Sequence, residues 1–227
     1  MFNLFRKRAP EPPRVELRDT LFGDLPLSHW PSDPSSADGE PWDSFVAARR
    51  GFESNDTAAA IAALRRALST PGLESRHYLQ AWHHLRAAGQ QPSPDEAKRL
   101  YGVVVEVAMP DGLDLLAAYE DGTARYYNYT GAGVVWDRPN ASLDAAVNAL
   151  LEAGRALVTQ IGPWEGERPP APAGDEVRVS LLTPSGLHFG QGPFDSLASD
   201  RLGGPVIAAA TRLMQELIAK SSGGGAA

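Results

Sequence analysis

Val103-Val104-Val105-Glu106-Val107-Ala108-Met109-Pro110-Asp111-Gly112-Leu113-Asp114-Leu115-Leu116-Ala117-Ala118-Tyr119-Glu120-Asp121-Gly122 is the stretch from which the fold is read. It opens on a β-branched run of the kind that packs well on a pleated surface, and Pro110-Asp111-Gly112 turns that run back into a second strand, Leu113 to Tyr119. Glu120-Asp121-Gly122 is the clearest hairpin signal in the chain, because Asp-Gly accepts the positive φ values of a type I′ turn. A third strand then runs from Ala124 to Tyr129, and Thr130-Gly131-Ala132-Gly133 leads into a fourth, Val134 to Trp136. Four consecutive strands with tight turns imply an antiparallel meander.

Upstream the apolar period is 3.6 rather than 2. Asp43 or Ser44 can cap a helix near 44–51. Asp56 precedes the helix-forming run Ala58 to Leu64, which ends near Leu68 before Pro71-Gly72. Ser75 caps a third helix carrying Tyr78, Leu79, Trp82 and Leu85, with Gly89 as its stop. Ser93-Pro94-Asp95-Glu96 is a capping box with proline at the first helical position, which predicts a short helix from 94 to about 101. Before these helices, residues 14–42 read as an irregular arm whose Leu17, Leu21, Phe22, Leu25, Leu27, Trp30 and Trp42 are apolar enough to hold it on the body. Residues 1–13 read as a disordered terminus and Pro31 to Gly39 as a solvated loop.

Downstream of the meander, Asn140 or Ser142 caps an amphipathic helix with Leu143, Val147, Leu150, Leu151, Leu157, Val158 and Ile161 on one side, ended by Gly162-Pro163. A proline-rich connector, Trp164 to Gly174, precedes strands near 176–182 and 187–190. The last helix starts at Gly204-Pro205 and is followed by a flexible tail, Ser221 to Ala227. The fold class is therefore α+β: an N-terminal helical segment (14–101) packed on a mixed or antiparallel sheet subdomain (102–220) of order β-β-β-β-α-β-β-α, with helices on one face. Residues 14–220 are expected to form one integrated unit.

Composition narrows the function classes. There are no cysteines, which excludes disulfides, thiolate metal centres and cysteine nucleophiles and fits a reducing, cytoplasmic compartment. The formal charge is −7, from 21 basic and 28 acidic residues. Nucleic-acid binders usually carry the opposite balance, so no nucleic-acid partner is expected. No apolar run reaches the length of about 18 residues that spans a bilayer. The terminus Met1 to Arg8 is basic, but Ala9-Pro10-Glu11-Pro12-Pro13 follows where a signal peptide needs an apolar stretch. Phe2, Leu4 and Phe5 beside those cations suit at most a weak membrane-surface contact.

No dinucleotide fingerprint, phosphate-binding loop, zincin or serine-hydrolase elbow occurs, and no cofactor or metal is expected. His77 and His84 share a helix face two turns apart, too far to ligate one ion. Asp111, Asp114, Glu120 and Asp121 match no calcium loop and read as turn-forming acids. Ser185, His188 and Asp195 have the residue types of a hydrolytic triad, but a triad is defined by geometry rather than by spacing.

Alternation gives sharper candidates. Glu106 is the odd residue on its face of the first strand, Arg125 and Tyr127 share a face of the third, and His188 points away from Leu187 and Phe189. Converged, these four would make a polar and aromatic patch able to grip a ligand or a carboxylate. Trp136, Trp164 and Phe194 extend the candidate binding surface, being of a residue class enriched at interfaces. The pattern leaves open whether the helical first half covers the sheet's second face; if it does, the polar candidates form an internal seam.

The element order resembles that of profilin-type and roadblock-type interaction folds. Arg18 to Pro26, Gly162-Pro163-Trp164-Glu165-Gly166 and Leu182 to Phe194 resemble segments of a bacterial family of hypothetical proteins with no assigned activity, and an Ala, Arg, Gly and Pro bias suits a GC-rich bacterial genome. That resemblance implies no catalytic residues. The expectation is a non-enzymatic cytoplasmic binding protein, an adaptor, regulator or immunity-type partner of another protein. The alternative is a hydrolase or transferase using Glu106 or His188 as general acid/base, with Arg125 as anion anchor.

Overall fold

The computed structural model describes residues 14–30 and 39–223. The expectations for residues 1–13, for 31–38 and for 224–227 lie outside the described residues. The helices are α1 (Arg14–Phe22), α2 (Trp42–Glu53), α3 (Thr57–Ser69), α4 (Ser75–Ala87), α5 (Pro94–Ala97), α6 (Asp144–Val158), α7 (Phe194–Ser199) and α8 (Gly203–Gly223). The strands are β1 (Gly102–Met109), β2 (Gly112–Tyr119), β3 (Ala124–Tyr127), β4 (Gly133–Trp136), β5 (Glu176–Thr183) and β6 (Gly186–Pro193). They form one six-stranded antiparallel sheet of order β4-β3-β2-β1-β5-β6, so β1 and β2 are central and β4 and β6 are the edges. The fold is α+β.

Both faces of the sheet are covered, and the side-chain period of 2 sorts the strands' residues between them. Val103, Val105, Leu116, Tyr126, Val179 and Leu181 point to α6 and α8, where they meet Val147, Leu150, Leu151, Ile207 and Leu213. Val104, Leu115, Ala117, Tyr119 and Leu182 point to the helical half, where they meet Leu21, Phe22, Leu64, Leu79, Trp82 and Leu85. A strand buried on both faces reads as a continuous apolar run, which is the physical reason for the valines of β1. The helical half is thus a third layer, and the open question about the second face is answered. Tyr119, fully buried, donates its hydroxyl to the Leu21 carbonyl at 2.7 Å and fastens α1 to the sheet.

Several boundaries differ from expectation for local reasons. Residues 14–22 are helical rather than irregular. α5 stops at Ala97, because Tyr101 N–H bonds to Leu182 O and the chain is already joining the sheet. β3 stops at Tyr127, where Asn128 N–H turns to Ala132 O and the Asn128 side chain accepts from Thr130 and Ala132. The exit loop after β6 contains α7, and Asp200 Oδ1 then accepts from the amides of Leu202 and Gly203 at the head of α8. α8 continues through Gly223, into the segment expected as tail. Among the described residues no helix is long and apolar enough to cross a membrane.

Candidate functional site

The register places the polar candidates on opposite sides of the sheet. Tyr127, Leu115, Glu106, Arg178 and Gln191 lie in one row across five strands, facing the helical half, and Arg125 lies on the same face opposite Ala117. His188 pairs with Leu181, which pairs with Val103, so it faces the α6/α8 layer. The patch that Glu106, Arg125, Tyr127 and His188 would make if they converged is therefore not formed, because His188 lies on the other face.

Glu106 is the centre of a buried ion network. With 0% of its surface exposed, it accepts from Arg18 Nε at 2.7 Å and from Arg178 Nη1 at 3.3 Å. Arg178 spends its remaining donors on Pro169 O, Pro170 O and Gln191 Oε1, and Arg18 also reaches Pro169 O. These bonds tie α1, β1, β5, β6 and the connector together. Glu106 is therefore an internal seam residue, enclosed between two guanidiniums. Arg125 is likewise buried, held by Asp137 at 2.8 Å with Glu74 at 4.0 Å. Tyr127 is half-buried, its ring lying against Gly133 where any Cβ would collide. The acids at the strand ends are used locally: Asp114 accepts from Tyr126 Oη and Tyr129 N, and Asp121 accepts from Ser75 N and Thr123 N.

Trp136 is half-buried at the β4 edge with its indole N–H on Asn140 O. Phe194 is exposed beside a small apolar hollow of about 230 Å³ under α8. Trp164 is 50% exposed and stands edge-on to Phe189, their ring centroids 5.3 Å apart.

Trp164 also stands at the mouth of a cleft of about 430 Å³. Four parts of the chain build it: the turn after α1 (Phe22, Gly23, Asp24), α4 (Leu79, His83, Arg86), the connector from Pro163 to Arg168, and the β5–β6 turn from Leu182 to Leu187. Gly23 ends α1 at φ +65°, and a Cβ there would lie 2.8 Å from Leu79 Cβ, so only glycine lets the arm turn this close to α4. Leu79, His83 and Arg86 recur at four and three on α4 and present one stripe to the cleft. The connector, though irregular, is fixed. Trp164 N–H donates to Leu187 O at 2.6 Å, the Trp164 indole donates to Glu167 O at 2.9 Å, and Arg168 is bound by Asp19 and Asp24 while lying over the Phe22 ring. Arg18–Pro26, Gly162–Gly166 and the Leu182–Phe194 segment, remote in sequence, meet at this one cleft.

Two features of the cleft carry chemistry. Arg86 donates from Nη1 to Pro184 O at 2.8 Å, and burial draws its pKa from 12.5 down to about 10, with the negative charge of Asp24 opposing the shift. Arg18, Arg168 and Arg178 each hold a carboxylate. Arg86 has none within 4 Å among the described residues. Its Nε sits over Gly186, where an added Cβ would stand 3.7 Å away and where φ is +123°. Beneath the turn, Ser185 Oγ lies 3.2 Å from His188 Nε2, and His188 Nδ1 lies 3.1 Å from Ile161 O. Donation from Nδ1–H to that carbonyl leaves Nε2 to accept from the serine. His188 therefore turns to a carbonyl rather than to Asp195, so the sequence's triad is not assembled. His83 lines the same cleft, and burial lowers its pKa, so it is neutral near pH 7.

Compared with known protein families, curated proteins and solved structures, the chain shows no significant match. Of the seven sequence candidates only Trp164 lines the cleft. Arg86 was missed because a lysine or arginine on a helix is ordinarily a solvated surface residue. The usable signal was the density of glycine, proline and aromatics in the segments that meet there.

Proposed function

We propose that the chain is a non-enzymatic, cytoplasmic binding protein, an adaptor, regulator or immunity-type partner, and that the Trp164 cleft is its recognition site. The observation that supports this is the construction of the cleft: an aromatic half exposed at the mouth, an arginine on the wall with no carboxylate within 4 Å among the described residues, and a rim pinned by ion pairs rather than left loose. Binding sites are concave, mostly pre-formed and furnished with few polar groups, and about 300–1,000 Å³ is their usual size. Exposed tryptophan is the residue type whose truncation most often costs an interface 2 kcal/mol or more, or about thirtyfold in affinity.

The test is capture from the native host with wild type, Trp164→Ala and, as a remote surface control, Val135→Ala, followed by titration of the purified partner. A partner that binds wild type and the control but loses about thirtyfold or more with Trp164→Ala supports the reading. Equal binding by all three removes the cleft from it.

One observation favours a second reading, that of a hydrolase: Ser185 lines the cleft with its hydroxyl on a neutral, carbonyl-anchored His188. In that reading Ser185 is the nucleophile and His188 the general base. Two features oppose it. His188 has 0% of its surface exposed, and Ser185 Oγ also lies 2.9 Å from Thr183 Oγ1, as in an ordinary turn network. The binding reading predicts that a fluorophosphonate probe does not label the folded protein. Labelling abolished by Ser185→Ala and by His188→Gln would instead establish the hydrolase.

A further inference from the structure

We infer that Arg86 is the receptor for a carboxylate carried on an apolar group, seated in the Trp164 cleft. The inference rests on the cleft being the recognition site, and it names the chemistry that site takes.

Several charged groups face the cleft. Asp24 and Arg168 bond one another, at 2.6 Å and 3.1 Å, and Arg168 also takes Asp19, so this group keeps one negative charge, and the field of Asp24 reaches Arg86 without a direct contact. Glu165 and Glu167 lie on the exposed rim, where water weakens their field without abolishing it. His83 is neutral near pH 7, its burial outweighing the pull of Asp24. What remains on the wall is the Arg86 guanidinium, with one donor on Pro184 O and no carboxylate within 4 Å among the described residues. Arg86 is half-buried, so the donors it does not use within the protein stay open to a ligand, and a planar guanidinium offers paired donors that match a carboxylate.

The surroundings narrow the anion. The two rim glutamates repel a dianion more than a monoanion as it enters, which disfavours phosphate and favours a carboxylate. Phe22, Leu79, Leu182 and Leu187 give the cleft apolar walls, and Trp164 offers a free face at its mouth. The matching ligand thus carries its charge at one end and an apolar body beside it. A peptide C-terminus and a free apolar carboxylic acid both have that chemistry.

The experiment follows the indole N–H of Trp164 and the side-chain Nε–H of Arg86 by heteronuclear NMR on the full chain. The probes are a random hexapeptide mixture with free C-termini, the same mixture amidated, hexanoate, benzoate and inorganic phosphate. The expected result is that carboxylate probes shift both signals, and phosphate and the amidated mixture do not. Arg86→Gln weakens binding by about tenfold to a hundredfold, as loss of a charge-assisted hydrogen bond does, and Arg86→Lys weakens it less. Thermal melts confirm that both variants fold. If the free-acid peptides bind and hexanoate and benzoate do not, the source is a peptide terminus; the reverse identifies a small acid. Binding that depends on Trp164 but is indifferent to amidation or to Arg86→Gln overturns the carboxylate inference and leaves the cleft reading standing. No response of the Arg86 signal to any carboxylate also overturns it, and indifference of every probe to Trp164→Ala overturns the cleft reading itself.

Discussion

Glu106→Ala is expected to destabilise the protein by about 3–5 kcal/mol, the cost of breaking a buried ion pair so that its partners remain buried and unpaired. Glu106 has no exposed surface and is the only carboxylate within 4 Å of Arg18 and Arg178 among the described residues. Its removal leaves two guanidiniums facing each other, and Arg178, 2% exposed, has no route to water. Glu106→Gln keeps the shape and one acceptor and should lose less. Urea denaturation measures both, and trypsin cleavage after Arg18 should accelerate in the alanine variant, because that pair helps to hold α1. A loss below about 1 kcal/mol would mean that the network sets geometry and contributes little net stability.

The second large effect is with pH. His84 is buried beside Trp30, with its Nε2 3.0 Å from Gln80 Nε2 and 3.2 Å from Leu25 O. Burial first, then the nearby His83 and Arg86, lower its pKa from 6.5 to about 4, while the Leu25 carbonyl pulls the other way. The folded chain therefore binds fewer protons than the unfolded chain between these values. The stability that neutral His84 contributes is fully present above pH 6.5 and is lost as pH falls towards 4. For one group shifted this far the loss is about 3 kcal/mol. His77, His83 and His188 are lowered too, chiefly by burial, and add in the same direction. Against the 5–15 kcal/mol typical of a domain this is a large fraction. Urea midpoints from pH 7.5 to 4 should fall steeply below 6.5, and His84→Gln should flatten that slope. Midpoints level across the window would refute the assignment.

The first effect belongs to the seam between the layers and the second to the contact of α4 with the N-terminal arm, and both bear on what could be read in the chain beforehand. Strand and helix identities followed from local physics: the valine run of β1, the Asp121-Gly122 turn, and the 3.6-residue stripe of α4. Alternation also placed Glu106 and Val104 on one face of β1, and Arg125 and Tyr127 on one face of β3, as the register has them. His188 differed because its face relative to Glu106 depends on how β5 registers against β1, a pairing between strands separated by β2, β3, β4 and α6. A slip of one residue there would exchange the faces. No turn within the sequence specifies that register.

The cleft lay further from view. Arg86 was one cation among twenty-one until the fold brought it under the connector. That no carboxylate among the described residues lies within 4 Å of it is a fact about neighbours from four distant segments. By itself, then, the sequence determined the six strands, the helices other than α1 and α7, their order and the α+β class, since these depend on residue spacing along one chain. The tertiary structure alone decided which polar residues were locked in ion pairs and which was left open at the Trp164 cleft, because burial and charge pairing exist only between segments that folding brings together.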